Sequence, residues 1–358
     1  MKGLAGRQLL RTAATILIAL AACCTLILLF GKTPAVAMQS LFFGNFSSPY
    51  YFGSMLNTAA FFMLAGTGSA ISIKSGNMNL GGEGQVYLGG FTACLVLNSL
   101  RLPAFLCATA ALLLSLSAGA AMACVSAFLK EKRGARPLLT SFLLSSAAIP
   151  LIDGFITSSD AARTTNMLAL PPITEEYRLP QLLPPSPLTA SFFAALVLCP
   201  AAWYLMFKSR YGSRMQVWGT APLFARFAGY SSPANSYSAL ALSGALHALT
   251  GFFAVTGCYY TCHKGFATNM GWNALNVALL SGSNPLSVIP VSLLLAWIFT
   301  SASRVSLTQG FDFDIAGIVQ GIILFSVSLT YVRGLRNRKG RTVSKAGKDT
   351  KSPAGGKA

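Results

Sequence analysis

Long apolar runs recur along this chain, and most approach the roughly 20 residues that an α-helix needs to cross the hydrocarbon of a bilayer. The first, from Thr12 to Phe30, contains no charged residue. Only 10% of the residues are charged while 53% are hydrophobic, and the mean hydropathy is +0.58. A soluble domain carries about 25% charged residues, so the chain reads as an all-α polytopic membrane protein. The first run is too long for the core of a cleaved signal peptide. Leu20-Ala-Ala-Cys23 is similar to a lipoprotein cleavage site, but the apolar stretch continues past the cysteine and is long enough to span.

Hydropathy predicts about ten spans, near residues 9–30, 51–73, from within a glycine-rich stretch to about 98, 103–129, 137–158, 189–207, 236–257, 267–283, 286–303 and 313–332. The eighth is short and interrupted by polar residues. The net charge of +18 does not indicate nucleic acid, because the basic residues sit in short clusters between apolar runs, as in cytoplasmic loops. With the N-terminus inside, twenty-one Lys and Arg fall on the inner side and six on the outer, so both termini are predicted cytoplasmic. Residues 1–333 form the membrane domain. Residues 334–358 read as a basic, disordered cytoplasmic tail, a topology anchor or a segment held near anionic lipid. The largest outer loop, about 159–188, is proline-rich and predicts an extended, partly stiff connection.

One stretch breaks the apolar pattern: Lys74-Ser-Gly-Asn-Met-Asn-Leu-Gly-Gly-Glu-Gly-Gln-Val-Tyr-Leu-Gly-Gly90. A glutamate at the centre of a lipid-exposed helix costs about 2.5–3.5 kcal/mol or more, so Glu83 must face protein or water. Broken backbone at membrane depth persists only where protein or an aqueous cavity covers it. Two readings stand side by side, a tight helix–helix joint and a wall of a translocation pathway. A faint internal repeat favours the pathway. Ser54-Met-Leu-Asn-Thr-Ala-Ala leads into the stretch above, and Ser236-Tyr-Ser-Ala-Leu-Ala-Leu-Ser-Gly leads into Lys264-Gly-Phe-Ala-Thr-Asn-Met-Gly-Trp-Asn-Ala-Leu-Asn276. On the predicted topology the two halves are inverted, and interrupted segments at matching positions of inverted repeats point to a transport site.

Catalytic chemistry is not evident. The sequence holds no Walker A pattern, so the chain is not expected to hydrolyse ATP. Apart from Glu83, the nine acids fall near span ends, in loops or in the tail, which leaves no chain of buried carboxylates for ion coupling. His247 reads as a packed core histidine, with a proton relay as the alternative. The cysteines form no disulfide framework, and Cys258, Cys262 and His263 miss the C-x-x-C-H spacing of haem attachment by one residue. No metal and no cofactor are expected.

Three ordered motifs carry a family resemblance over roughly residues 50–330. Asn79-Leu-Gly-Gly-Glu-Gly-Gln85 is similar to the N-I-G-x-E-G-Q of nucleoside-type permeases. Gly219-Thr-Ala-Pro-Leu-Phe-Ala-Arg-Phe-Ala-Gly229 is similar to R-A-V-G-x-N-P-x-A-A-x-Y-A-G-I, and Ala274-Leu-Asn-Val-Ala-Leu-Leu-Ser-Gly-Ser-Asn-Pro285 to I-A-V-A-L-L-G-x-x-N-P. The chain thus resembles the permeases of bacterial ABC importers for branched-chain amino acids, simple sugars and nucleosides, and most of all the nucleoside-type, basic membrane lipoprotein-linked members. It departs from them at Gln216, Ala221 and Ala135-Arg-Pro-Leu-Leu.

The resemblance implies a membrane-spanning permease subunit in the bacterial cytoplasmic (inner) membrane, in contact with lipid. It would work with separate ATP-binding cassette ATPase subunits, a second permease chain in a homo- or heterodimer, and an extracytoplasmic substrate-binding lipoprotein. Its substrate would be a nucleoside or simple sugar, and no nucleic acid is implied. Such a solute needs a lumen whose amides and hydroxyls exchange with its water shell without gripping it. The candidates are Asn57, Asn77, Asn79, Glu83, Gln85, Asn273 and Asn276; for each asparagine the alternative is an interhelical hydrogen bond worth about 0.6 kcal/mol. Gly219, Pro222, Ala225, Arg226, Ala228 and Gly229 match the coupling helix that docks on the ATPase, Pro222 opening a short helix and Gly229 near its C-terminal cap. A plain surface amphipathic helix is the other reading of that segment. An ion-coupled secondary transporter and a non-transporting scaffold are the rival classes.

Overall fold

The computed structural model describes residues 2–159, 167–267, 269–311 and 314–326, with side chains from Thr12 onward. The predicted tail and the end of the tenth predicted span lie outside these residues. The helices are α1 (Lys2–Phe30), α2 (Pro34–Phe43), α3 (Pro49–Lys74), α4 (Gly82–Ser99), α5 (Ala104–Arg133), α6 (Pro137–Ser158), α7 (Ser191–Lys208), α8 (Arg210–Thr220), α9 (Pro222–Phe227), α10 (Ser232–Ala254), α11 (Met270–Leu280), α12 (Pro285–Gln309) and α13 (Ile315–Ser326). Among the described residues there is no strand, only an isolated antiparallel bridge between Ala169 and His263.

Among the described residues, seven helices are long and apolar enough to cross a membrane: Thr12–Phe30 of α1, α3, α5, α6, α7, α10 with its extension to Tyr259, and α12. The other three predicted spans fall on α4, α11 and α13. Glycine and polar residues in the first turns of α4 lower its hydropathy. α11 has 11 residues and rises only about 16 Å, too short to cross alone. Hydropathy did not signal α2, which lies between the first two spans.

Local sequence sets the ends. Ser48 accepts a hydrogen bond from Tyr51 N ahead of Pro49 at α3, and Ser231 does the same for Ala234 N at α10. Asn284 accepts from Leu286 N ahead of Pro285 at α12; such caps satisfy N–H groups that a helix start leaves unpaired. α5 ends on Gly134 in the left-handed region (φ 67°), with Lys130, Lys132 and Arg133 in its last turn, where cations complement the helix dipole.

Burial divides the bundle into two shells. In α3 and α10, 83% and 72% of the apolar stretch is buried, against 22% in α6 and in α7. The outer helices turn Leu17, Leu29, Phe155 and Val197 outward, as lipid-facing surface requires. Between helices in lipid the hydrophobic effect gives no drive, so close backbone approach has to hold them. Gly119 of α5 and Gly244 of α10 supply it, because a Cβ on either would overlap the other's carbonyl oxygen. Gly251 of α10 faces the Val86 carbonyl of α4 in the same way.

The described part of the proline-rich loop, residues 167–188, binds the bundle. Leu170 N donates to Cys262 O (3.0 Å), Ile173 N to Tyr260 O (2.8 Å) and Leu179 N to Thr256 O (2.9 Å). α10 runs on as a π-helical turn, Val255–Tyr259, and stops at Tyr260 with φ 57°. The loop's N–H groups thereby satisfy the carbonyls that this irregular stretch exposes.

Candidate functional site

Two interruptions lie at the heart of the bundle, one between α3 and α4 and one between α10 and α11. The structure brings them together. A Cβ on Gly271 would overlap Glu83 N, and one on Gly82 would lie 2.7 Å from His247 Nε2 and 3.3 Å from Gly271 Cα. Only glycine lets the first turns of α4 and α11 touch. The half-buried Glu83 side chain closes the junction: Oε1 accepts from Asn269 N (2.5 Å) and Oε2 from Gly271 N (2.8 Å). A carboxylate thus caps a helix of the other half, where unpaired N–H groups and the helix dipole both favour negative charge. Asn269, at the start of α11, has φ 68°, a region asparagine enters more readily than most residues.

The start of α4 has its own partners. Asn79 Oδ1 accepts from Gly81 N (2.9 Å), Ser141 Oγ from Leu80 N (2.9 Å) and Ser145 Oγ from Gly84 N (2.7 Å). Asn79 Nδ2 donates to Gln85 Oε1 (2.8 Å) and Ser243 Oγ (3.0 Å), and Gln85 Nε2 returns a bond to Asn79 Oδ1 (3.3 Å). His247, fully buried, is 2.7 Å from Ser243 O through Nδ1 and 3.1 Å from Ser69 Oγ through Nε2. A carbonyl only accepts, so Nδ1 carries the proton and Ser69 donates to Nε2.

The seven residues singled out for a lumen therefore do different things. Every side-chain nitrogen and oxygen of Asn79, Glu83 and Gln85 has a partner within the junction they build. Asn57 accepts from Ser191 Oγ (3.5 Å) and lies apart from it, and Asn77 belongs to a second cluster, accepting from Lys130 Nζ (2.5 Å). On α11 the situation is reversed. Asn276 is fully buried, and neither its Oδ1 nor its Nδ2 has a partner among the described residues; Asn273 Oδ1 has none either. An unpaired buried amide costs about 1–3 kcal/mol, a cost that any polar group or water reaching these atoms would relieve. Ser141, Ser145, Ser243 and Ser69 were not anticipated. Their one sequence signal is the four-residue spacing of Ser141 and Ser145, which puts both on one face of α6.

The segment matched to a coupling helix is α9. Ala221 precedes it, and it closes with Tyr230 N bonded to Ala225 O (2.9 Å) and Gly229 N to Arg226 O (3.1 Å), Gly229 at φ 74°. That pair of bonds is a Schellman ending, and Gly229 is its left-handed residue. Pro222, Arg226 and Ala228 are exposed, together with Leu223, Phe224 and Phe227, the last 90% exposed. Ala225 is fully buried against the chain itself, so its small side chain serves internal packing. Gly219 also faces inward: a Cβ there would overlap Lys74 O and lie 3.0 Å from Gly76 N. The end of α8 is therefore pressed onto the first interruption.

Residues 51–328 match the family described as branched-chain amino acid transport system / permease component. The chain is 32% identical to "Probable riboflavin import permease protein RfuC" of Treponema pallidum, over 90% of this chain and 86% of that one. It is 25% identical to "Guanosine ABC transporter permease protein NupP" of Bacillus subtilis, over 91% and 95%. With "Glucose ABC transporter permease protein TsgB13" of Haloferax volcanii it shares 28% identity over 96% and 92%.

Proposed function

Because the chain belongs to the branched-chain amino acid transport permease family, we propose that it forms the translocation pathway of an importer for a nucleoside or simple sugar. It is an integral membrane permease subunit of an ATP-binding cassette transporter, and the hydrolysis of ATP is the work of other subunits. The solute would come from an extracytoplasmic binding lipoprotein and leave into the cytoplasm. The pathway would be completed by a second permease chain, the same or similar, in the cytoplasmic membrane. Ten spans in two inverted repeats, with both termini inside, fit the matching interruptions of α3–α4 and α10–α11.

One observation carries the site. Glu83 joins the two interruptions, and directly beyond the joint α11 holds two asparagines with unpaired buried groups. Neutral amides suit hydroxyls and ring nitrogens, and they release a neutral solute as readily as they take one. Riboflavin and guanosine, for which two of the relatives are named, both join a planar nitrogen heterocycle to a hydroxylated five-carbon unit, an open ribityl chain in one and a ribose ring in the other. That shared chemistry favours the nucleoside side of the proposal. Around α9, the exposed Leu223, Phe224, Arg226, Phe227 and Ala228 form the contact for the ATPase, with Pro222 starting the helix, Gly229 ending it, and Ala225 and Gly219 seating it on the bundle.

The test is flux. Permease, ATPase and binding protein reconstituted in proteoliposomes should import labelled guanosine, riboflavin or glucose only with ATP on the ATPase side. Uptake that persists without the ATPase and collapses with an ion gradient would mark a secondary transporter instead. No flux of any solute with any partner would leave a scaffold. Labelling of single cysteines at exposed positions should find those near residues 132 and 215 on the inner face and those near 170 on the outer.

A further inference from the structure

Lys130 and Glu131, adjacent residues in the last turn of α5, sit between the two segments that the proposed function needs to link. Lys130 Nζ donates to Asn77 Oδ1 (2.5 Å) and to Ser236 Oγ (2.8 Å). Glu131 Oε1 accepts from Ser236 Oγ (2.6 Å) and Ser232 Oγ (3.0 Å), and lies 3.9 Å from Lys130 Nζ. The Ser236 hydroxyl accepts from the lysine and donates to the glutamate, so the two charges hold it from both sides. Asn77 is fully buried and belongs to the first interruption, whereas Ser232 and Ser236 lie in the first turns of α10, immediately after the α9 segment. The two side chains are 27% and 14% exposed, too enclosed for an ordinary surface pair.

A second tie runs parallel. Asn235 Nδ2 donates to Ser75 O (3.2 Å), and at the other end of the α9 segment Gly219 rests on Lys74 and Gly76. The segment from Thr220 to Ser231 is thus fastened at both ends to the backbone that leads into Asn79 and Glu83. A loop anchored at one end only could move without disturbing that backbone. This one cannot.

We propose that Lys130 and Glu131 are positioning residues that transmit movement of the α9 segment to the first interruption, and through Glu83 to α11. The inference rests on the reading of α9 as the ATPase contact. Neither residue needs to touch solute or nucleotide. Their function is to keep Asn77 and Ser236 at a fixed separation while the cytoplasmic loops shift.

The experiment measures solute imported per ATP hydrolysed by the full transporter in proteoliposomes, for Lys130→Met, Lys130→Arg, Ser236→Ala and Phe227→Asp. Lys130→Met should assemble with the ATPase and hydrolyse ATP at near the normal rate. Its transport per ATP should fall by about tenfold or more, the factor that one lost hydrogen bond to a charged group corresponds to. Lys130→Arg, which keeps charge and donors, should restore most of it. Ser236→Ala removes only the shared hydroxyl and should lower the same ratio by a smaller factor, which keeps the test decisive if the methionine variant does not fold. An unchanged ratio in both Lys130→Met and Ser236→Ala overturns the proposal. So does a parallel loss of assembly, hydrolysis and uptake in both, because that is what a merely structural pair would give. Phe227→Asp separates the underlying reading: normal assembly and coupling there would remove α9 from the ATPase contact, whatever the lysine variants do.

Discussion

Replacing Glu83 gives the most quantitative test of the junction. Glu83→Leu removes both acceptors and leaves Asn269 N and Gly271 N without partners inside the bundle. An orphaned buried donor costs about 1–3 kcal/mol, so the pair costs about 2–6 kcal/mol. Stabilities of 5–15 kcal/mol are usual for folded domains, so a loss of that size is a large fraction of the whole. Glu83→Gln keeps one carbonyl acceptor and turns an NH2 group toward the other N–H, so it should forfeit one bond, about 1–3 kcal/mol. The order of stability is therefore wild type, glutamine, leucine. Thermal unfolding of detergent-purified protein, followed by size-exclusion of the surviving fraction, reads this order directly. Uptake should follow the same order, with the leucine variant inactive even where it reaches the membrane. A leucine variant as stable and active as wild type would refute the junction. A glutamine variant worse than leucine would refute the hydrogen-bond accounting.

Three further outcomes follow from particular contacts. Gly251→Ala places a methyl group onto the Val86 carbonyl and should destabilise by about 1–3 kcal/mol through overpacking, whereas Gly154→Ala, with open space around it, should be neutral in the same melt. Asn276→Leu removes an amide that has no partner among the described residues; the melting temperature should hold or rise while the KM for solute uptake increases, and a lowered melting temperature with normal uptake would make Asn276 a structural residue. Phe227→Asp alters a ring that is 90% exposed, so the permease should fold normally and fail to co-purify with the ATPase.

What the sequence discloses follows from how local its cause is. The all-helical membrane architecture is legible because each span's apolar length is a property of consecutive residues. The first interruption is legible because its glycines, Asn77 and Asn79 crowd into a few positions between two apolar runs. The second is fainter: it turns on left-handed residues at Tyr260, Gly265 and Asn269, of which only one is glycine. The α2 helix was missed because ten residues starting at Pro34 are too few for a span and carry no strong polar face. Which groups meet was beyond reach. Nothing near Glu83 says that its partners lie at Asn269 and Gly271, and nothing near Ala225 says that it turns inward while Phe227 turns out. Lys130 counted in the sequence as one more inner positive charge, and its bonds to Asn77 and Ser236 arise only when α5 and α10 cross at Gly119 and Gly244.

The capping of α11 by Glu83 also sets an order of events during synthesis. The carboxylate precedes its two partners by 186 and 188 residues. At about 5–20 residues per second, the ribosome needs roughly 10–40 s to supply them. Throughout that interval α4 has left the ribosome with an acidic group whose final ligands do not exist. The nascent first half must keep that group hydrated, at the membrane surface or beside the insertion machinery, until the second half arrives. The amino-terminal half made alone is therefore a poor folding unit, and the two halves expressed as separate polypeptides should mature only when they are present together.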